Sequence, residues 1–168
     1  VSNPAAALLR LTMMLSEPLL DFTRVLDDLT SRELEIPRLI SLIAPEFTRV
    51  LAEPGLLPPD ALAPGAASYE QHILHTSPDG RYSLVSLVWR PGDRTPVYDH
   101  HAWGLAGVYR GHEHETRYAW CDRSGTVPGL RRVAHEAVCA GQVIPIVPPS
   151  DIHHVANPDS TPTISLHL

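Results

Sequence analysis

The chain is 168 residues long, 43% hydrophobic and carries a formal net charge of −6. No apolar run approaches the length needed to cross a bilayer, and the acidic balance disfavours a nucleic-acid backbone as a partner. All thirteen cationic residues are arginine, which excludes mechanisms built on a lysine nucleophile or Schiff base.

Length and apolar content predict a single soluble domain over 1–168. The first residues lack a basic segment, and Arg10 and Glu17 interrupt the apolar stretch that follows, which argues against a signal peptide. Cys121 and Cys139 lack CxxC spacing and read as reduced thiols of a cytoplasmic protein. Residues 4–53 read as helical. Leu8, Leu9, Leu11 and Leu15, then Leu19, Leu20, Phe22, Val25, Leu26 and Leu29, recur at helical spacing. Ser16-Glu17-Pro18 has the chemistry of a helix start, because Ser caps and Pro fits the first turn. A further helix is predicted over Ile36–Leu51, with Leu39, Ile43, Phe47 and Val50 on one stripe.

Glu53 to Gly65 is rich in Pro and Gly and reads as a connector without regular structure. From residue 66 the texture changes to short strands: Tyr69–His75, Tyr82–Trp89, Tyr98–Arg110, His112–Trp120, Arg131–Cys139, Gln142–Val147, Ile152–Ala156 and Thr163 onward. Pro78-Asp79-Gly80 suits a tight turn between the first two. Eight short strands in sequence predict a mainly β barrel or sandwich.

Two stretches carry the chemistry. In Gly92 to Gly111, strand alternation puts Tyr98, His100, Ala102 and Gly104 on one face and Asp99, His101 and Trp103 on the other. Donors two apart on a strand can grip one metal ion. Gly141, Pro148, His153 and Asn157 form a second group near the C-terminus. His112-Glu113-His114 is a second H-x-H, but it lacks a flanking glycine frame and reads as the solvated start of a returning strand. Glu113 and Glu115 with Arg110 and Arg117 read as a cross-strand charge ladder. Asp151 and His154 flank His153, and either could orient a ligand imidazole. His72, His75 and His135 carry no signal beyond ordinary polar residues.

Together the two stretches resemble the paired motifs of the cupins. Gly92, Tyr98, His100, Gly104 and Gly111 keep the frame of the first motif, with Tyr98 where a first metal-binding His is expected and Gly104 where most cupins carry a Glu. Gly141, Pro148, His153 and Asn157 fit the second. The resemblance implies a double-stranded β-helix barrel over 66–168 with the N-terminal helices packed on its outside. Thr95-Pro-Val-Tyr-Asp-His100 entering Trp103-Gly104, and the ending Ser165-Leu-His167, look like the thiol dioxygenases, the family of cysteine dioxygenase and 3-mercaptopropionate dioxygenase.

That likeness implies a metal held by His100 and His153 with Tyr98 at the third position. The metal would be Fe(II), with nickel, zinc and copper as alternatives. It also implies a Ser165–His167 outer-sphere relay, and Gln71 where the family contacts the substrate carboxylate. A relay tyrosine and a carboxylate-binding arginine would fall beyond Leu168. The implied reaction is oxidation of the sulfur of a small thiol, a mercapto acid or cysteine-like molecule, by O2. The substrate could also be a small carboxylate, and two other readings of the same residues are a metal-dependent lyase or isomerase with Tyr98 as base, and a non-catalytic cupin that binds a small molecule or a partner at the barrel mouth.

Overall fold

The computed structural model describes residues 15–66, 68–121 and 129–168. The helical stretch expected around Leu8–Leu11 lies outside them. Helix α1 spans Glu17–Ser31 and helix α2 spans Ile36–Leu51. The predicted start of α1 holds: Ser16 caps it, its Oγ accepting from the Leu19 amide at 3.4 Å while donating to the Leu56 carbonyl at 2.7 Å. In the Pro/Gly connector a short 3₁₀ turn forms at Pro59–Leu62. Pro suits the start of such a turn because its missing N–H needs no partner there.

Eight strands follow: β1 Glu70–Thr76, β2 Ser83–Trp89, β3 Gly104–Arg110, β4 His112–Trp120, β5 Leu130–Cys139, β6 Val143–Ile146, β7 His153–Ala156 and β8 Thr163–His167. They form two antiparallel sheets, one ordered β1-β2-β8-β3-β6 and the other β5-β4-β7. The strand expected over Tyr98–Arg110 is interrupted. Only Tyr98 pairs, as an isolated bridge to His153, and the ladder resumes at Gly104.

The central strands of the five-stranded sheet are buried on both faces, for different purposes. Leu84, Val88, Leu105, Ile164 and Leu166 face the helices and join Leu19, Phe22, Leu26, Ile43, Phe47 and Leu51 in the main core. Phe22 and Phe47 stack across the two helices with ring centroids 5.2 Å apart. The opposite face of β2 carries Leu87 and Trp89, which meet Val155 of β7 across the barrel with Tyr69 packed beside them. On β8, Ser165 is paired with Leu87 and His167 with Val85, so both point into the barrel with those residues. The helices therefore supply most of the apolar burial, which leaves the barrel interior free to hold polar groups.

Close approach of α2 to the sheet depends on Gly107. A Cβ placed there would lie 2.6 Å from Leu51 Cδ1 and 3.3 Å from Phe47 Cζ. Gly107→Val is expected to overpack this contact and destabilise the fold by about 1–3 kcal/mol. Urea denaturation checks this, and an unchanged midpoint would mean that the helix does not seat on β3 in this way.

Candidate metal centre

The backbone sets the geometry before any side chain does. Tyr98 N–H donates to the His153 carbonyl at 3.0 Å, and His153 N–H donates to the Tyr98 carbonyl at 2.9 Å. Residues paired this way in an antiparallel bridge project to the same side, so the two halves of the motif are fixed face to face. The ring centroids of Tyr98 and His153 lie 4.7 Å apart, and those of Tyr98 and His100 lie 5.0 Å apart.

His100 is not on a strand. It occupies the irregular stretch after the bridge, and its position is set by Asp151, whose Oδ2 accepts from the His100 amide at 2.6 Å. Its Nε2 faces Nε2 of His153 at 3.1 Å. The neighbouring His101 is exposed to solvent.

His153 is 2% exposed, and its other nitrogen, Nδ1, lies 2.8 Å from Glu115 Oε1. A carboxylate only accepts, so Nδ1 carries a proton, and in the neutral ring Nε2 then holds the lone pair that faces His100. Glu115 is itself 1% exposed and takes a second bond from Arg117 Nε at 2.9 Å. Burial pushes the Glu115 carboxyl upward, but the His153 bond and the Arg117 charge outweigh it and hold the group below the ordinary carboxylate range.

This corrects the charge ladder expected at 113–117. Glu113 and Glu115 point into the barrel, and Glu113 is 3% exposed. The role expected of Asp151 or His154, orienting a ligand imidazole, falls instead to Glu115. Asp151 holds the backbone of His100, and His154 donates from Nδ1 to the Thr95 carbonyl at 2.7 Å. The sequence held one signal for Glu115: its alternation with His114 and Thr116 on a strand whose other face carries the histidines.

A cavity of about 220 Å³ opens beside the pair, lined by Tyr69, Gln71, Trp89, Tyr98, His100 and His167 among others. Four of the residues singled out from the sequence line it, Tyr98, His100, Gln71 from β1 at its exposed rim and His167 from β8, with His153 and Ser165 next to them. Ser165 Oγ lies 3.1 Å from His167 Nε2 and accepts from Trp89 Nε1 at 3.0 Å. Gly104 begins β3, close to Leu168. A Cβ there would meet the Leu168 carbonyl oxygen at 2.8 Å, so glycine is needed for the approach of the last strand. A larger hollow of about 430 Å³ lies against Leu15, Ala61 and Ile73, with Gln71 also on its wall.

Burial dominates the titration of the site. It lowers His100, with His153 adding to the effect. It pushes the Tyr98 phenol up to about 12, helped by Tyr69, Glu113 and Glu115, and His167 down to about 3, helped by His153 and His100. Burial thus favours the neutral rings of His100 and His167, and a neutral imidazole is the form that binds metals.

The donor set fits a metal ion. Two imidazole nitrogens bonded to one ion at about 2.0–2.1 Å in neighbouring positions are separated by roughly 3 Å, the spacing that His100 and His153 show at 3.1 Å. Their Nε2 atoms converge and a carboxylate backs one ring. Among the described residues no third His, Cys, Asp or Glu joins them, and the Tyr98 ring lies beside both imidazoles.

Two facing antiparallel sheets with imidazoles from distant segments meeting inside them define a cupin. The profile of the cysteine dioxygenase type I family matches residues 67–168, and the chain belongs to that family. Solved structures with a similar fold include a cupin 2 conserved barrel domain protein from Salinispora arenicola CNS-205, 18% identical with a TM-score of 0.46, the match covering 68% of this chain and 87% of that one. A cupin superfamily protein from Desulfitobacterium hafniense DCB-2 is 14% identical with a TM-score of 0.45, covering 68% of this chain and 90% of that one. Recombinant oxalate oxidase in complex with glycolate is 19% identical with a TM-score of 0.44, covering 62% of this chain and 54% of that one. Among the described residues no helix is long and apolar enough to cross a membrane.

Glu115→Gln keeps the shape of the side chain but removes the charge behind His153. It is expected to weaken binding of a divalent transition metal by about 10–100-fold, measured by competition with a chelator. Unchanged affinity would remove Glu115 from the centre.

Proposed function

We propose that this chain oxidises the sulfur of a small thiol with dioxygen at a transition metal, iron in the first place, held by His100 and His153 with Tyr98 as third donor. The observation that carries this reading is the pair of Nε2 atoms facing each other at 3.1 Å, with the far side of His153 tied to Glu115. Membership of the cysteine dioxygenase type I family supports this reaction class. Nickel, zinc or copper would suit the same nitrogens. A bound ferrous ion would supply the site where thiolate and dioxygen meet. In the balanced reaction both oxygen atoms end on sulfur, the sulfur loses four electrons, and the thiol becomes a sulfinic acid.

The protein's own residues do the rest. The cavity of about 220 Å³ admits a small molecule such as a mercapto acid. Gln71 at its rim offers an amide N–H₂ to a substrate carboxylate, a neutral donor in place of a cation. Leu87 and Trp89, packed with Val155, wall the interior and restrict water. His167, kept neutral by burial, presents a hydrogen-bonding edge to the cavity, and Ser165 holds its ring. Cys121 and Cys139 are free thiols, in keeping with a reducing, cytoplasmic setting.

Tyr98 distinguishes this centre. With its phenol raised to about 12 by burial, it donates rather than accepts a proton at neutral pH, and it becomes anionic only under the pull of a metal. That weakens the reading of Tyr98 as the general base of a lyase. As a phenolate it would favour the ferric state and slow thiol oxidation relative to a third imidazole.

Oxygen uptake by the iron-loaded protein with a panel of small thiols tests the proposal, with a sulfinate as the expected product. Tyr98→His is expected to raise the rate at least several-fold. Absence of uptake by metal-loaded protein in both forms would contradict thiol oxidation as the function.

A further inference from the structure

β5 is the strand that the fold leaves least covered. It spans Leu130–Cys139 and stands at the end of the order β5-β4-β7, so among the described residues it pairs with β4 alone. Val138 is its only buried residue. Two bonds fix which of its backbone groups point outward: the Ala140 amide donates to the Gly111 carbonyl at 3.2 Å, and the Cys121 amide to the Gly129 carbonyl at 2.8 Å. Antiparallel partners alternate between bonded and unbonded pairs. From the first bond, His135, Ala137 and Cys139 turn their N–H and C=O groups away from β4; from the second, Leu130 and Arg132 do.

Val133 causes the change of step. Arg117 pairs with Ala134 and Tyr118 with Arg132, so Val133 is the extra residue of a β-bulge. Its side chain is 48% exposed, and the ladder partners Trp120 and Leu130 are 51% and 40% exposed. An open edge with apolar side chains along it is a template for another strand, and a bulge ordinarily spoils that template. Outward groups two residues apart on a regular strand cannot match Arg132 and His135, which are three apart. A strand carrying the same bulge, run antiparallel, restores the match.

We propose that β5 pairs with β5 of a second copy of this chain, across a twofold axis between Val133 and Ala134, joining the two three-stranded sheets into one. In this register Leu130 of one copy lies opposite Ala137 of the other and Arg132 opposite His135, so outward-facing residues meet each other along both halves. Val133 of each copy meets Ala134 of the other. Arg131 lies opposite Glu136, twice by symmetry. Both are exposed, and among the described residues neither has an ion-pair partner in its own chain. Opposite charges directly across an antiparallel pair are favourable and like charges are not. An axis through Glu136 would also keep the backbone groups in step around it, but it would set Glu136 against Glu136. The inference depends on neither the metal nor the substrate assigned above.

Sedimentation velocity over a range of protein concentrations tests it. The wild type is expected to pass from monomer to dimer as concentration rises. Arg131→Glu turns two attractive pairs into repulsive ones and should weaken the dimer about tenfold. Adding Glu136→Arg to that variant returns opposite charges to both contacts and should restore the dimer. A wild type that stays monomeric throughout would overturn the proposal, as would a dimer that Arg131→Glu leaves intact or a double variant that stays dissociated. Hydrogen exchange on the wild type decides the matter without variants. The amides of Leu130, Arg132, His135 and Ala137 should slow as the dimer forms, and a dimer that leaves them fast would equally overturn it.

Discussion

The hold on His153 from two sides is the constraint on which the site depends. Its backbone is locked to Tyr98 by a reciprocal pair of hydrogen bonds, its Nδ1 to Glu115, and its Nε2 faces His100. A carboxylate 1% exposed would be costly without partners. Here it receives one bond from His153 and one from Arg117, so its burial becomes a means of fixing a ring and its tautomer. Removing one member leaves the others with unpaired charge or an unsatisfied donor. The arrangement is therefore expected to respond as a unit rather than residue by residue.

The helices make this possible. A barrel whose interior contains Glu113, Glu115, His153, Ser165 and His167 cannot be stabilised by its interior alone. The main apolar core lies instead between α1, α2 and the outer face of the five-stranded sheet. Gly107 lets Leu51 and Phe47 reach the sheet, and Gly104 lets the Leu168 carbonyl close against β3. The two positions serve packing on one side and closure on the other, and the polar interior remains available for chemistry.

Much of this was legible in the sequence because the signals were local. The cap at Ser16, the stripe of α2 and the strand runs follow from spacing and turn chemistry, and Gly92 and Gly111 stand in the motif where the backbone takes positive φ of 82° and 79°. The convergence of Tyr98, His100 and His153 came from the motif resemblance and is met by the geometry. What escaped was set by tertiary context. Charged residues on β4 look alike from sequence whether they face water or the barrel, so Glu113 and Glu115 were read as a surface ladder. At Gly104 the sequence shows only a missing ligand side chain, while the packing reason for glycine, the Leu168 carbonyl, comes from a distant segment.

The central claim is that one ion sits between the facing Nε2 atoms of His100 and His153. Anomalous scattering from a crystal grown with a divalent transition metal tests it most directly. The account predicts a single strong peak within bonding distance of both nitrogens, with the Tyr98 oxygen as the third protein atom nearest to it. A peak elsewhere, or an ordered water between the two rings at saturating metal, would contradict it.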